Sequence, residues 1–379
     1  MERTIVHFDL DAFFVSVERL LNSKLEAKPL IIGGVGDRAV VSSCSYEARR
    51  FGVHSGMPMR MAHRLCSDAI HIRGDMDQYT RYSRLVTEII ADRAPSYEKA
   101  SIDEHYLDIT GMDRFFGSFK WAHELREQII KESGLPISFG LSVNKTVAKI
   151  ATTESKPNGE LWVKKDKVNP FLDPLNMRKI PMLGKQSYLK LRRMGLSTIL
   201  SLRQMPPDML LYAMGKNGLS FWKKANGIDL SPVIQYTERK SISAEHTFQH
   251  DTISIQSITD TLIAMSEKLG FTLRKDAKLC SVITVKIRYS NFDTHSLQKS
   301  IAYTSLDYKI IEVAKDLFSR LYTKRMMIRL VGLKLSGMVA GVQQIDLFEH
   351  QEEDIKLYQA MDAIRKKYGS KAIRRAIAY

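Results

Sequence analysis

Residues 101–110, SIDEHYLDIT, place two acids, Asp103 and Glu104, side by side in a run that alternates like a β-strand. Adjacent carboxylates repel each other, and bringing them together is costly unless something positive faces them. A cage for that cation needs further ligands, and residues 5–14, IVHFDLDAFF, offer one: a short apolar strand that ends in a third acid, Asp9. An acid in such a strand needs a partner or a cation. If the two strands are neighbours, Asp9, Asp103 and Glu104 converge at one sheet edge. Three hard oxygen ligands with open positions suit Mg²⁺, which takes its remaining ligands from water and substrate phosphates. Two such ions roughly 3.5–4 Å apart stabilise the attacking and leaving oxygens of a phosphoryl transfer.

Candidate phosphate-holding groups lie on either side. Tyr46 and Arg49 are three apart on one helical face of SYEARRFG, and Lys156 stands in SKPNG, after a helix read over NKTVAKIATTES. A phenol, a guanidinium and an ammonium together make a triphosphate grip.

Working outward, the first 164 residues read as α/β. TIVHFDL, PLIIGG, AVVSSCS, PISFGLSV and ELWVK are strands, and Asp11 is expected to cap a helix through AFFVSVERLL. An amphipathic helix over 77–92 and another over 121–132 complete two βαβ-like passes, interrupted by an insertion at about 11–75. The pattern predicts a ferredoxin-like sheet with a small inserted lobe. Residues 165–235 read as all-helical, with short helices joined at glycines; Gly184 and Lys185 open one of them and form a natural phosphate seat. Residues 232–242 read as a linker. Helices near 257–273 and 308–322 then alternate with strands near 280–289, 299–304 and 328–336, a second α+β module. In SVITVKIRY, Lys286 and Arg288 oppose the apolar set Ile283, Val285, Ile287 and Tyr289; in IRLVGLKLS, Lys334 does the same.

Charge supports this division. Residues 1–164 balance 22 Lys and Arg against 22 Asp and Glu, whereas 165–239 carry 13 against 5 and 240–343 carry 15 against 9. The excess lies where a polyanion would be held, not where the acids would do chemistry. No apolar run approaches the roughly 18 residues that span a bilayer, and Met1-Glu2-Arg3 leads straight into a strand. The expectation is a cytoplasmic protein with no membrane partner, its three scattered cysteines reduced.

HFDLDAFFVSVE, SYEARRFGVHSGMP, ASIDEHYLDIT, GLSVNKTVAKIA and KPNG occur in the order and approximate spacing of the Y-family DNA polymerases, and the chain most resembles their bacterial DinB-type branch. The resemblance implies a multidomain α+β architecture. It has a ferredoxin-like palm (1–10 and 76–164), small fingers (11–75), an all-helical thumb with helix-hairpin-helix elements (165–231), a linker (232–242) and an α+β little finger (243–340). It implies a template-directed, error-prone translesion polymerase, likewise a monomer, that uses two Mg²⁺ ions, a dNTP and primer-template DNA, without proofreading. Asp9, Asp103 and Glu104 match the catalytic metal ligands, with the Leu10 carbonyl as a further ligand. Phe13 and Phe14 match the aromatic pair under the sugar, Phe14 being the steric gate. Ser43, Tyr46, Arg49 and Lys156 match the triphosphate set. Gly184, Lys185, Lys286, Arg288 and Lys334 are the DNA contacts expected. In residues 341–379, Gln344, Asp346, Leu347 and Phe348 match a QxDLF peptide for the sliding clamp (β subunit), followed by a tail of unassigned role. The sequence departs from the family at His105, where Ala is common, at Ser43, where Thr is frequent, and at Met182, where PMLGK replaces a PGIGK-like form. A non-catalytic clamp-tethered adaptor and a nucleotidyl cyclase are the readings from other classes. The first would not need the acids, and the second would not need the basic modules.

Overall fold

A computed structural model describes residues 2–112, 117–341 and 351–369, with 372, 373 and 375. The chain divides into two units, Met1–Thr237 and Glu238–Tyr379. The strands of the first are β1 (Ile5–Leu10), β2 (Leu30–Gly33), β3 (Val41–Cys44), β4 (Ile70–Ile72), β5 (Tyr97–Lys99), β6 (Glu104–Asp108), β7 (Ile137–Ser142) and β8 (Glu160–Trp162).

Five of these strands form one sheet in the order β5-β6-β1-β7-β8. β1 lies at its centre, antiparallel to both β6 and β7, while β7 and β8 run parallel. Alternation sorts the side chains of β1. Val6, Phe8 and Leu10 enter the core with Val86 and Ile90 of helix Met76–Arg93 and Leu125 and Ile129 of helix Ser118–Ser133. Ile5, His7 and Asp9 face the other way, toward helix Lys145–Ser155: Ile5 packs on Ala148, and His7 Nδ1 lies 2.8 Å from Thr152 Oγ1. That helix sits very close to the sheet because β7 carries Gly140. A Cβ there would lie 2.3 Å from the Ala148 carbonyl oxygen. The close approach lets lysines of the helix reach the sheet edge.

The inserted lobe is a three-stranded sheet, β3-β2-β4, with β2 antiparallel to β3 and parallel to β4. Beyond β8 come helices Val168–Leu172, Lys185–Arg193, Ile199–Gln204, Pro207–Met214 and Lys216–Ala225, around a core that includes Leu172, Leu191, Leu202 and Phe221. Gly195 and Gly215 link successive helices with φ of 85° and 62°, values that favour glycine. Met182 takes φ 71° with its side chain almost wholly exposed. The replacement of glycine there keeps a glycine-like backbone and leaves the methionine in solvent.

The second unit is an antiparallel sheet in the order β11-β10-β12-β9, made of β9 (Ser241–Thr252), β10 (Lys278–Tyr289), β11 (Thr294–Thr304) and β12 (Ile328–Ala340). Helices Ile255–Lys275 and Asp307–Leu321 pack on its apolar face over Ile283, Val285, Ile287, Val331, Leu333 and Leu335. β9 begins inside the stretch read as a linker. It is a polar edge strand in which Ile242 and Phe248 alone are buried, so periodicity gives no sign of it. Helix Gln351–Tyr368 docks on this unit through Tyr358, Asp362 and Arg365, all buried. Asp362 receives Arg274 Nε at 2.7 Å.

One local expectation changes, at Asp11, and His105 takes a structural place. Asp11 does not cap helix Phe13–Leu21; the cap position is Ala12, left-handed at φ 44°, with no side-chain cap. His105 lies on the face of β6 opposite Glu104, fully buried, with Nε2 3.0 Å from Thr87 Oγ1. Burial first, then the charge of Lys99, pushes its pKa down from 6.5 to about 3. The folded chain thus refuses a proton that the unfolded chain accepts below its ordinary pKa. Stability is complete above pH 6.5 and is lost as pH falls toward about 3. His105→Gln is expected to flatten the dependence of unfolding free energy on pH by about 1.4 kcal/mol per pH unit between pH 6 and 4. Urea unfolding across that range measures it, and a slope equal to the wild type's refutes it.

Candidate active site

The antiparallel register of β1 and β6 sets Asp9 directly opposite Glu104. One step on, the Leu10 N–H donates to the Asp103 carbonyl at 3.1 Å, so Asp103 sits just outside the end of β6 and beside the end of β1. Ser101 fixes that corner. Its Oγ accepts from the N–H groups of Asp103 (3.2 Å) and Glu104 (3.0 Å) and donates to Asp103 Oδ1 at 2.5 Å. The strand pairing therefore brings Asp9 together with the Asp103–Glu104 pair, far from it in the chain, at one end of the sheet.

Cationic side chains of the tightly packed helix meet them. Lys156 Nζ lies 2.5 Å from Asp9 Oδ1, 3.3 Å from the Leu10 carbonyl oxygen and 3.5 Å from Asp11 Oδ1. Lys149 Nζ donates to Glu104 Oε2 at 2.5 Å, and His7 Nε2 stands 3.8 Å from the same oxygen. Burial pushes the Asp9 carboxyl well above the usual range, beyond what Lys156 pulls back, and the charges of Glu104 and Asp103 add to the rise. Burial acts the same way on Glu104, but the nearby His7 ring and the bonded Lys149 ammonium outweigh it and hold that carboxyl low. His7, fully buried, is pushed down to about 4 by desolvation, against the pull of Glu104. Sequence reading missed His7 and Lys149. The signal was available in part, since Lys145, Lys149, Thr152 and Lys156 follow i, i+4, i+7, i+11 spacing on one helical stripe.

A single ammonium shared by the Asp9 carboxylate and the Leu10 carbonyl is a test of what this edge accepts. Oxygen donors converge there on one cation, the donor set that Mg²⁺ takes. Among the described residues, the His, Cys, Asp and Glu side chains whose ligand atoms all lie within 4.8 Å of one another are His123, Glu127 and Glu160. Arg126 already donates to Glu127 at 2.6 Å and to Glu160 at 3.0 Å, so that cluster has its cation.

Around the acids is a cleft of about 210 Å³ lined by Asp9, Leu10, Phe13, Phe14, Ser43, Arg49, Asp103 and Lys156. Ala12, Ser42 and Ser55 complete the lining and were not singled out in the sequence. Phe13 is largely buried, whereas Phe14 is partly open, its ring stacked on Tyr79 at 4.2 Å and 11°. Tyr46 follows its cap Ser45 on the short helix Tyr46–Arg50; its hydroxyl donates to Asp11 Oδ1 at 3.4 Å, and the Arg49 guanidinium lies over its ring at 4.7 Å.

The remaining candidates lie elsewhere. Gly184 caps helix Lys185–Arg193 without a side-chain bond, leaving its first N–H groups open to a ligand. On the open face of the second unit's sheet, Lys286 pairs with Glu245 at 2.5 Å, Arg288 Nε donates to Thr294 at 2.9 Å, and Lys334 is exposed. Gln344, Asp346, Leu347 and Phe348 lie outside the described residues.

Residues 8–153 match the model of the impB/mucB/samB family, and residues 239–347 match that of the family's C-terminal domain. DNA polymerase IV of Dehalococcoides mccartyi (strain CBDB1) is 36% identical over 381 residues, spanning 100% of this chain and 98% of that protein. DNA polymerase IV of Treponema denticola is 35% identical over 382 residues, spanning 99% and 96%. Among solved structures, a Y-family DNA polymerase chimera, Dbh-Dpo4(243-245)-Dbh, is similar with a TM-score of 0.80 at 26% identity, covering 89% of this chain and 100% of that one. An insertion ternary complex of Dbh DNA polymerase is similar at 0.63, with the same identity and coverage. Fold and site together define the class as Y-family DNA polymerase. The chain belongs to the impB/mucB/samB family and is a DNA-directed DNA polymerase of the translesion type.

Proposed function

We propose that the enzyme extends a primer 3′-hydroxyl by one dNTP at a time against a template, by two-metal nucleotidyl transfer and without proofreading. The observation that carries this reading is the Asp9–Glu104 register with Asp103 at its corner, opening on the cleft that also holds Phe14, Arg49 and Lys156. Asp9, the Leu10 carbonyl, Asp103 and Glu104 would hold two Mg²⁺ ions. Bound there, the ions supply Lewis-acid stabilisation of charge on the attacking and leaving oxygens. Lys149 keeps Glu104 ionised, and Ser101 aims Asp103. Ser43, Tyr46, Arg49 and Lys156 bind the triphosphate, Lys156 leaving Asp9 for a phosphate oxygen when nucleotide and metal arrive. Phe13 backs Phe14, which closes the space beside the sugar.

In this reading 1–10 and 76–164 are the palm, 11–75 the fingers, 165–231 the thumb and 243–340 the little finger. Gly184 and Lys185 seat a DNA phosphate, and Lys286, Arg288 and Lys334 ride the backbone. The solved ternary complex of the Dbh relative supports DNA and nucleotide as partners. Residues 344–348, QIDLF, tether the enzyme to the sliding clamp, Leu347 and Phe348 filling an apolar pocket. The enzyme works as a cytoplasmic monomer; no helix of the described residues is long and apolar enough to cross a membrane.

Primer extension on intact and damaged templates, with and without clamp, tests the proposal. Wild type is expected to extend and to pass at least one lesion, the clamp increasing product length, and Asp103→Ala is expected to be inactive. No extension by the wild type would leave the adaptor reading standing, and extension by Asp103→Ala at the wild-type rate would remove Asp103 from the catalytic set.

A further inference from the structure

Asp11, directly after β1, is a carboxylate only 2% exposed. Its two oxygens have separate partners. Oδ2 accepts from Ser138 Oγ at 2.8 Å and from the Asn158 N–H at 2.7 Å. Ser138 Oγ accepts in turn from the Gly159 N–H at 3.1 Å, so these bonds clip the 156–159 turn onto β7. Oδ1 faces the cleft side, where it accepts from the Tyr46 hydroxyl and lies 3.5 Å from Lys156 Nζ. Tyr46 comes from the inserted three-stranded lobe, and Lys156 ends the helix that packs on the five-stranded sheet. One buried carboxylate therefore joins two polar groups carried on helices that belong to two separate sheets' lobes.

We infer that Asp11 is a positioning residue for the incoming nucleotide. Through Oδ1 it holds the Tyr46 hydroxyl and the Lys156 ammonium at a spacing that meets one triphosphate, while Oδ2 fixes the carboxylate's own orientation. The inference rests on the nucleotidyl-transfer reading. At 3.4 Å from the Tyr46 hydroxyl and 3.5 Å from Lys156 Nζ, whose shorter bond goes to Asp9, the buried charge of Asp11 attracts both donors in a low-dielectric site and so biases where they stand before ligand arrives. Without it, a phenol and a flexible ammonium at a cleft wall must be ordered afresh at each binding event, which weakens affinity rather than chemistry.

The test is single-nucleotide incorporation by the full chain, with kcat and KM for dNTP measured separately and a thermal melt read alongside. Asp11→Asn can keep its oxygen on Ser138 and Asn158 while losing the charge that faces Tyr46 and Lys156. It is expected to raise KM about tenfold, the loss of one charge-assisted bond, with kcat within about threefold. Combining it with Tyr46→Phe is expected to give less than the product of the single effects, because both remove the Asp11–Tyr46 link. Ser138→Ala, which removes one of the two bonds to Oδ2 and leaves the charge, is expected to shift KM in the same direction by less. A wild-type KM in Asp11→Asn overturns the inference, as does a double variant whose KM effects multiply. If Asp11→Asn fails to fold, a wild-type KM in Ser138→Ala overturns it and a raised KM supports it. Asp103→Ala, run in parallel, separates the two failures: its activity sinks the transfer reading that rests on Asp103, whereas its inactivity beside a wild-type KM in Asp11→Asn sinks only the positioning role.

Discussion

Asp9→Asn is expected to lower primer extension by about a thousandfold or more, as loss of a proposed metal ligand should, and to leave the protein at least as heat-stable as wild type. The two halves of that result have one cause. Asp9 is held in a mostly buried position opposite Glu104 and near Asp103, and burial raises its pKa further than the Lys156 ammonium lowers it. In the absence of a divalent cation its charge is therefore a net cost to the fold. Asparagine keeps the shape and an acceptor for Lys156 but removes the cost, so the melting temperature should hold or rise. Added Mg²⁺ gives a second reading. It should raise the melting temperature of the wild type, because a ligand of the native state stabilises by mass action, and should do so much less in Asp9→Asn. Activity within tenfold of wild type, or equal Mg²⁺ responses, would remove Asp9 from the metal set.

What could be read from the chain follows the same electrostatics. An acid in an apolar strand is conspicuous, so Asp9 and the Asp103–Glu104 pair stood out before any fold was known. Which strand pairs with which was a supposition, and only the antiparallel register makes Asp9 and Glu104 face each other. Lys149 and His7 escaped notice because a lysine on a helix and a histidine in a strand are ordinary until Gly140 is seen to admit the helix against the sheet. Asp11 was misread for a local reason. An Asp before a helix normally caps it, but Ala12 turns left-handed and sends the carboxylate toward Ser138, Asn158 and Tyr46. β9 was missed because an edge strand with one face in solvent carries little apolar signal, whereas the buried rows of β10 and β12 declared themselves by alternation. His105, the departure beside the acid pair, is accounted for by the far side of the sheet, where it packs against the core and meets Thr87.

Phe14→Ala is expected to raise the use of ribonucleotides relative to deoxynucleotides by about a hundredfold to a thousandfold, roughly 3–4 kcal/mol of discrimination. A wall that rejects one hydroxyl works only if it cannot retreat. Here the Phe14 ring lines the cleft beside Asp9 and Ser43 and lies flat against Tyr79. Tyr79 is 1% exposed and is itself fixed, its hydroxyl donating to Glu18 Oε1 at 2.5 Å on the helix that carries Phe14. The stack at 4.2 Å backs the Phe14 ring with the buried Tyr79, so under the proposed gate role an added 2′-hydroxyl would meet a side chain supported by the core. Truncation to alanine removes the wall without touching the carboxylates, so deoxynucleotide addition should persist while ribonucleotide addition rises to approach it. Tyr79→Phe keeps the stack and loses only the Glu18 bond, and should discriminate sugars nearly as wild type does. Tyr79→Ala unlocks the ring and should fall between wild type and Phe14→Ala. Incorporation of matched rNTP and dNTP pairs, compared as ratios of kcat/KM, decides among these. An unchanged ratio in Phe14→Ala would mean that the sugar is read elsewhere in the cleft, and an unchanged ratio in Tyr79→Ala would mean that the gate holds its place without its backing.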